Sequence, residues 1–169
     1  MTFLRKLLLS SAVLAMGACT NAAGLGGANT VDLTGAGATA VGSPSDPNSV
    51  AYFQQTIGDR VLFLVDQSTL TAQGKATLDG QATWLLANTD YSAIIEGHAD
   101  EQGTREYNLG LGAKRANSAR EYLVSRGVAG NRVKTVSYGK ERPIEICSEE
   151  SCYEKNRRAV TVLSGALAG

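Results

Sequence analysis

The hydrophobic positions divide the chain into an apolar start, a weakly hydrophobic stretch and a patterned remainder. Leu7 to Met16 is a run of apolar and small residues preceded by Arg5 and Lys6. At roughly ten residues it is too short to cross a ~30 Å hydrocarbon core as a helix, but it has the length of a secretory signal's apolar region. From Thr20 to about Pro47, Gly, Ala, Thr, Ser and Asn dominate and large apolar residues are few. Such a stretch buries too little surface to offset the entropy of ordering. Read as a flexible tether, it has a root-mean-square span of ~30 Å and stretches to ~90 Å.

Patterning begins near Ser45-Asp46-Pro47, which predicts a short helix to Gln55 with Asp46 as N-cap and Pro47 at the first helical position. Arg60 to Val65 is a compact apolar run and predicts a buried strand. Thr71 is placed to cap a helix reaching about Asn88, with Leu78, Ala82 and Leu85 on one face and Trp84 in a packing position. Gly74 and Gly80 each weaken that helix by about 1 kcal/mol relative to Ala. Tyr91 to Glu96 reads as a second strand, and Glu106 to Arg126 as a long helix stopped by Gly127. The core stripe of the long helix is expected at Leu109, Ala113, Ala116, Ala119 and Leu123. Arg132 to Tyr138 and Ala159 to Leu163 complete the set of strands. Alternating strands and helices predict one α/β domain: a layered fold of βαβαβ type with one sheet, right-handed crossovers and helices packed against it.

Charge changes the picture by exclusion. The chain carries 16 Lys+Arg against 16 Asp+Glu. Removal of the first eighteen residues takes Arg5 and Lys6 away, leaving about −2. That is no footprint for nucleic acid, nor a polybasic membrane patch. The segment Met16-Gly17-Ala18-Cys19 resembles the lipobox of bacterial lipoproteins, in which the signal is cleaved before a cysteine that receives lipid. Several acyl chains at ~0.8 kcal/mol per buried CH₂ would anchor stably. Thr20 follows, not the aspartate associated with inner-membrane retention, so the resemblance implies the outer membrane. With Cys19 lipidated, Cys147 and Cys152 remain as an even pair in an oxidising compartment. A disulfide closing that small loop contributes about 2 kcal/mol in the chain-entropy model. A zinc site is the competing reading, but with one histidine in the chain it lacks ligands.

The candidate chemistry lies at the second strand's end, Gly97-His98-Ala99-Asp100-Glu101-Gln102-Gly103, facing the N-terminus of the long helix. Strand C-termini beside helix N-termini are natural binding sites because free N–H groups converge there. Asn108 and Arg115 are two helical turns apart and share a face, with Arg115 expected beside the core stripe. Asp100 and Arg115 form a dipolar pair suited to a ligand with an ammonium and a carboxylate on one carbon. Alternatively the two bridge each other, and spacing alone does not separate these readings. His98 with Asp100 and Ser92 hints at a hydrolase, but no nucleophile elbow or metal-ligand spacing accompanies it. His98 is expected to hydrogen-bond locally at the strand end. Arg157-Arg158 reads as a rim or ion pair, and Tyr107 and Tyr138 as either packing or glycan contacts.

Glu96 to Thr104, Tyr107-Asn108-Leu109, Lys114-Arg115-Ala116-Asn117, Val136 to Pro143 and Asn156 to Val160 together are similar to the OmpA-like peptidoglycan-binding domain. The likeness covers about residues 59–163. The lipobox and tether make the chain similar to the lipid-anchored branch that works with the Tol system. Members of the motor-stator and porin branches carry a transmembrane helix or a barrel before the domain. The resemblance implies residues 1–18 as signal peptide, 19–47 as lipidated Cys19 and tether, and 48–169 as the binding domain facing the periplasm. It implies non-covalent binding of the peptidoglycan stem through diaminopimelate, a periplasmic propeller partner of the TolB type, and a role in envelope integrity and division. Neither catalysis nor a metal nor any cofactor beyond the lipid on Cys19 is implied. Asp100 would take the ligand's ammonium and Arg115 its carboxylate, with Asp66, Gln102, Asn108 and Arg157 in supporting positions. Family members often have Phe-Asp-Phe-Asp after the first strand. Here Phe63-Leu64-Val65-Asp66 replaces the first acid by Leu64, which puts contacts from that loop in question.

Overall fold

The computed structural model describes residues 42–165. The signal segment, Cys19 and most of the expected tether lie outside the described residues. Ser49, not Asp46, caps the first helix, α1 (Val50–Tyr52), by accepting from the Tyr52 N–H. Asp46 instead closes a turn by accepting from the Asn48 N–H, as Asx side chains do in competition with helix starts. The chain continues through a wider helical turn at Phe53–Gly58 into β1 (Arg60–Leu62). Helix α2 (Ala72–Ala87) starts at the expected cap, where Thr71 accepts from Gly74 N–H at 3.0 Å. Strand β2 (Ser92–His98) and helix α3 (Arg105–Ser125) follow. Then come β3 (Val133–Gly139), a short α4 (Glu150–Asn156) and β4 (Arg158–Ser164).

The four strands form one mixed sheet in the order β1-β4-β2-β3. β2 and β3 are parallel across the α3 crossover, and β4 is antiparallel to both β1 and β2. α2 and α3 cover the same sheet face. Gln81 of α2 receives the Thr161 hydroxyl of β4, and Ser137 of β3 donates to the Leu109 carbonyl of α3. Phe53, Leu78, Leu85, Ile95, Ala116, Leu123 and Val133 fill the layer between sheet and helices. Removing such side chains from water contributes roughly 1.5–3 kcal/mol for each large one. Trp84 packs there as its position implies, tilted against Phe53 and Tyr91, with its indole N–H on the Pro47 carbonyl.

Two further expectations need correction. β1 is an edge strand rather than a buried one: Val61 is buried while Arg60 and Leu62 face solvent. The apolar run continues past the ladder because Leu62, Leu64 and Val65 line a groove along that edge. Leu109 is half exposed, and the buried face of α3 instead runs Asn108, Gly112, Arg115, Ala116, Ala119, Leu123. That face is set by the closest approach of α3 to the sheet, where Gly112 meets Gly97; Leu109 lies about 70° from its middle. Helix α4 is an element the sequence did not announce, because it carries no apolar periodicity. Among the described residues no helix is long and apolar enough to cross a membrane.

A Cβ on Gly97 would sit 1.8 Å from the Gly112 carbonyl oxygen, whereas one on Gly110 would meet nothing within 4 Å. Gly97→Ala should therefore force α3 off the sheet and cost roughly 3 kcal/mol or more. Gly110→Ala, on the exposed side of the same helix, should gain about 0.5–1 kcal/mol. Urea unfolding of the two variants checks both signs, and equal midpoints would contradict the packing described.

Candidate functional site

Beyond the C-terminal ends of β1 and β2, two loops meet the first turns of α3. Thr104 caps α3 by accepting from Tyr107 N–H, and Gly103 turns the chain into it at φ +89°. The Asn108 amide donates to the Gln102 carbonyl at 2.7 Å, and Lys140 from beyond β3 donates to the Glu101 and Gly103 carbonyls. This loop is thus held from both sides. In the loop after β1, Asp66 adopts φ +56°, a conformation that Asp tolerates better than most residues. The Tyr107 hydroxyl donates to its carboxylate, which raises the Tyr107 pKa, the hydrogen bond being the main cause.

Between the loops lies a cavity of about 240 Å³. Asp66, Asp100, Gln102, Tyr107 and Asn108 line it together with Val65 and Leu111. A groove of about 570 Å³ along β1 is larger but mostly apolar; the convergent polar groups single out the smaller cavity. Asp100 is 8% exposed and accepts from the Gln102 N–H through one oxygen and from Arg157 through the other, each at 3.2 Å. It pairs with Arg157, not with Arg115. Arg157 is buried, donates to the Phe63 carbonyl through Nε, and donates to Glu150 once from each terminal nitrogen. Burial alone would lower the Arg157 pKa, but Glu150 and Asp100 hold it above its ordinary value.

Arg115 departs most from expectation. It is fully buried, not beside the core stripe but part of the packed face. Its Nε donates to the Gln67 carbonyl at 2.8 Å, and its terminal nitrogens donate to His98 at 2.9 Å and Leu64 at 3.1 Å. The guanidinium also lies over the Phe63 ring, 5.3 Å from its centroid. Burial brings its pKa down to about 10, the Arg157 cation adds to this, and Asp100 and Asp66 oppose it. Three of its five N–H donors are engaged, which leaves two. The Leu64 side chain lines the outer groove, and only its carbonyl reaches the site.

Of the sequence-assigned residues, Asp66, Asp100, Gln102 and Asn108 share the cavity wall, and Arg115 and Arg157 brace it from behind. Sequence reasoning left Tyr107 undecided and missed Leu111 and Glu150. The spacing 107, 111, 115 on one helix face could have found the first two. Nothing local marks Glu150, fifty residues beyond Asp100. The expected disulfide joins Cys147 to Cys152, with Cα atoms 6.0 Å apart.

His98 does not hydrogen-bond as expected. Neither ring nitrogen has a partner, and the ring stacks on Tyr138 at 5.6 Å, away from the cavity lining. Glu96 is the nearest carboxylate, at 3.7 Å. Burial, then Arg158 and Arg142, lowers the His98 pKa to about 4. Among the described residues no His, Cys, Asp and Glu cluster is arranged to hold a metal ion.

The sequence pattern of the OmpA family matches residues 62–157. The chain is 53% identical to the peptidoglycan-associated lipoprotein of Rhizobium meliloti (strain 1021) over 86% of this chain and 76% of that one. It is 50% identical to the protein of that name from Mesorhizobium japonicum over 92% and 89%. Among solved structures, it resembles the peptidoglycan-associated lipoprotein of Burkholderia pseudomallei, with TM-score 0.64 and 36% identity over 72% of this chain and 98% of that one. The C-terminal domain of Helicobacter pylori MotB shares the fold, with TM-score 0.60 at 20% identity over 64% and 86%.

Two outcomes are expected from the buried groups. Arg115→Met orphans three carbonyls and should cost about 3–5 kcal/mol in urea unfolding. Arg115→Lys, with donors at one point instead of a fork, should recover only part of it. The folded state keeps His98 neutral while the unfolded chain protonates it near pH 6.5, so its contribution is complete above that value and is lost as pH falls towards 4. Comparing unfolding at pH 7 and pH 4.5, wild type should lose on the order of 2 kcal/mol more than His98→Gln.

Proposed function

The chain belongs to the OmpA family, among relatives named peptidoglycan-associated lipoproteins, and from that premise we propose that its domain grips the cell wall by binding the diaminopimelate of the peptidoglycan stem. The observation that carries this reading is a buried Asp100 carboxylate facing a 240 Å³ cavity, with the Asp66 carboxylate on its wall and the Arg115 guanidinium behind it. The zwitterionic centre of diaminopimelate would set its ammonium on Asp100 and turn its carboxylate toward the positive charge of the Arg115 guanidinium. Asn108, Gln102 and Asp66 would close around the stem, and Arg157 would hold Asp100 in place. Charge-assisted bonds of this kind are about twice as strong as neutral ones.

Lipid on Cys19 would hold the other end in the outer membrane with the domain in the periplasm, so that the protein ties membrane to wall. The likeness further favours a TolB-type propeller as partner, within the Tol–Pal system that serves envelope integrity and constriction at division. A wall-binding lipoprotein working outside that system is the second reading; co-purification with a TolB-type protein separates the two. A cell-wall hydrolase is not favoured, because the chain's one histidine is sealed beneath Tyr138 and absent from the cavity lining.

Co-sedimentation with purified sacculi tests the assignment. Asp100→Asn should weaken binding at least about tenfold, with near-ultraviolet circular dichroism showing that the variant still folds. Arg115→Ala suits this poorly, since the same change removes three structural bonds. Sedimentation equal to wild type for folded Asp100→Asn and Asp66→Asn together would remove the site.

A further inference from the structure

The Asp100 carboxylate already has partners before any cationic ligand arrives. One of its oxygens accepts a main-chain N–H and the other is held by Arg157, itself a buried cation. An ammonium arriving at Asp100 therefore meets a carboxylate already paired and a like charge behind it. What changes this balance is Glu150, in the first turn of α4, seven residues before Arg157. Its carboxylate receives both terminal nitrogens of Arg157. The hydrogen bond from Arg157 in turn holds the Glu150 carboxyl below its ordinary range, so it stays an anion at neutral pH.

Charge therefore alternates from the cavity outward: Asp100 negative, Arg157 positive, Glu150 negative. With Glu150 in place the triad carries a net charge of −1, and Asp100 retains its pull on a cation. Without it, Arg157 has Asp100 as its one carboxylate partner and the pair presents no net charge to the cavity. Glu150 itself is 62% exposed and does not line the cavity, so it acts through Arg157.

The placement of Glu150 is built in. The Cys147–Cys152 disulfide brackets it within a loop closed over five residues. At the other end of α4, Asn156 receives the Ile144 and Glu145 N–H groups and donates to the Glu145 carbonyl. The two closures hold α4 against Arg157 although the helix is only two turns long. Isolated helices of that length do not persist in water.

We infer that Glu150 is a positioning residue for the wall-binding site, offsetting the Arg157 cation beside Asp100 so that Asp100 accepts the ligand's ammonium, with the disulfide holding Glu150 in reach. This rests on the peptidoglycan reading above and names the group that tunes it.

The test is calorimetric titration of a muropeptide bearing meso-diaminopimelate into the wild-type and Glu150→Gln proteins. Glu150→Gln keeps the side chain's size, and its exposure predicts little change in melting temperature. Its dissociation constant should rise about tenfold at low ionic strength. A role resting on charge predicts that the gap narrows as salt rises, because half-exposed charges are screened; a purely structural role would leave it constant. The same muropeptide with the diaminopimelate amine acetylated should bind both proteins weakly and equally. Wild-type protein that fails to bind the unmodified muropeptide would overturn the wall-binding assignment itself. Tight and equal binding by wild type and Glu150→Gln would leave that assignment standing and overturn the role of Glu150, as would a gap unchanged by salt.

Discussion

The buried guanidinium of Arg115 is the interaction on which the site depends. A cation removed from water loses several kcal/mol of solvation unless its donors are met. Here three of the five are met by carbonyls: Leu64 and Gln67 in the loop after β1, and His98 at the end of β2. These segments are not neighbours in the sheet, because β4 lies between β1 and β2. One side chain of α3 therefore joins two loops that the strand ladder does not connect. The cavity is the gap left between them.

A buried cation that binds main-chain dipoles keeps its charge unneutralised by any direct carboxylate contact. Asp66 and Asp100 stand close enough to raise its pKa without bridging it. Asp66 is turned toward Tyr107, and Asp100 toward Arg157 and then Glu150. Each acid near Arg115 is thus held by a group other than Arg115, which keeps the opposite charges of the site apart. Direct pairing of Asp100 with Arg115 would have closed the dipole that the proposed zwitterionic ligand requires.

Much of this was legible in the chain, in proportion to how local the signals are. Thr71 and Thr104 sit where a capping residue opens a helix, and α2 begins within a residue of expectation because the cap acts within one turn. The Asp100 loop and the Asn108–Arg115 face were readable from strand end and helical period. The depth of Arg115 was not: arginine on a helix reads as surface, and only the approach of Gly112 to Gly97 brings that face against the sheet. The edge position of β1 was hidden because a run of apolar residues lining a groove resembles a run that fills a core. α4 escaped notice since its sequence, Glu-Ser-Cys-Tyr-Glu-Lys-Asn, has no apolar stripe and is held by a crosslink and an asparagine. Resemblance supplied the supporting position of Arg157, but its alternation with Glu150 needed coordinates.

The segment entering the domain and the cavity lie at opposite ends of the sheet. Pro47 is fastened by Trp84, near the end of α2 and packed against Tyr91, which precedes β2. Asp66 and Asp100 follow the far ends of β1 and β2. A pull between the entering segment and a molecule seated in the cavity consequently runs along the strands. The β1–β4 pairs Arg60–Val160, Val61–Ala159 and Leu62–Arg158 then bear load side by side in shear. They would part together rather than unzip one after another, along with the Phe63–Arg157 and Asp59–Thr161 main-chain hydrogen bonds that flank them.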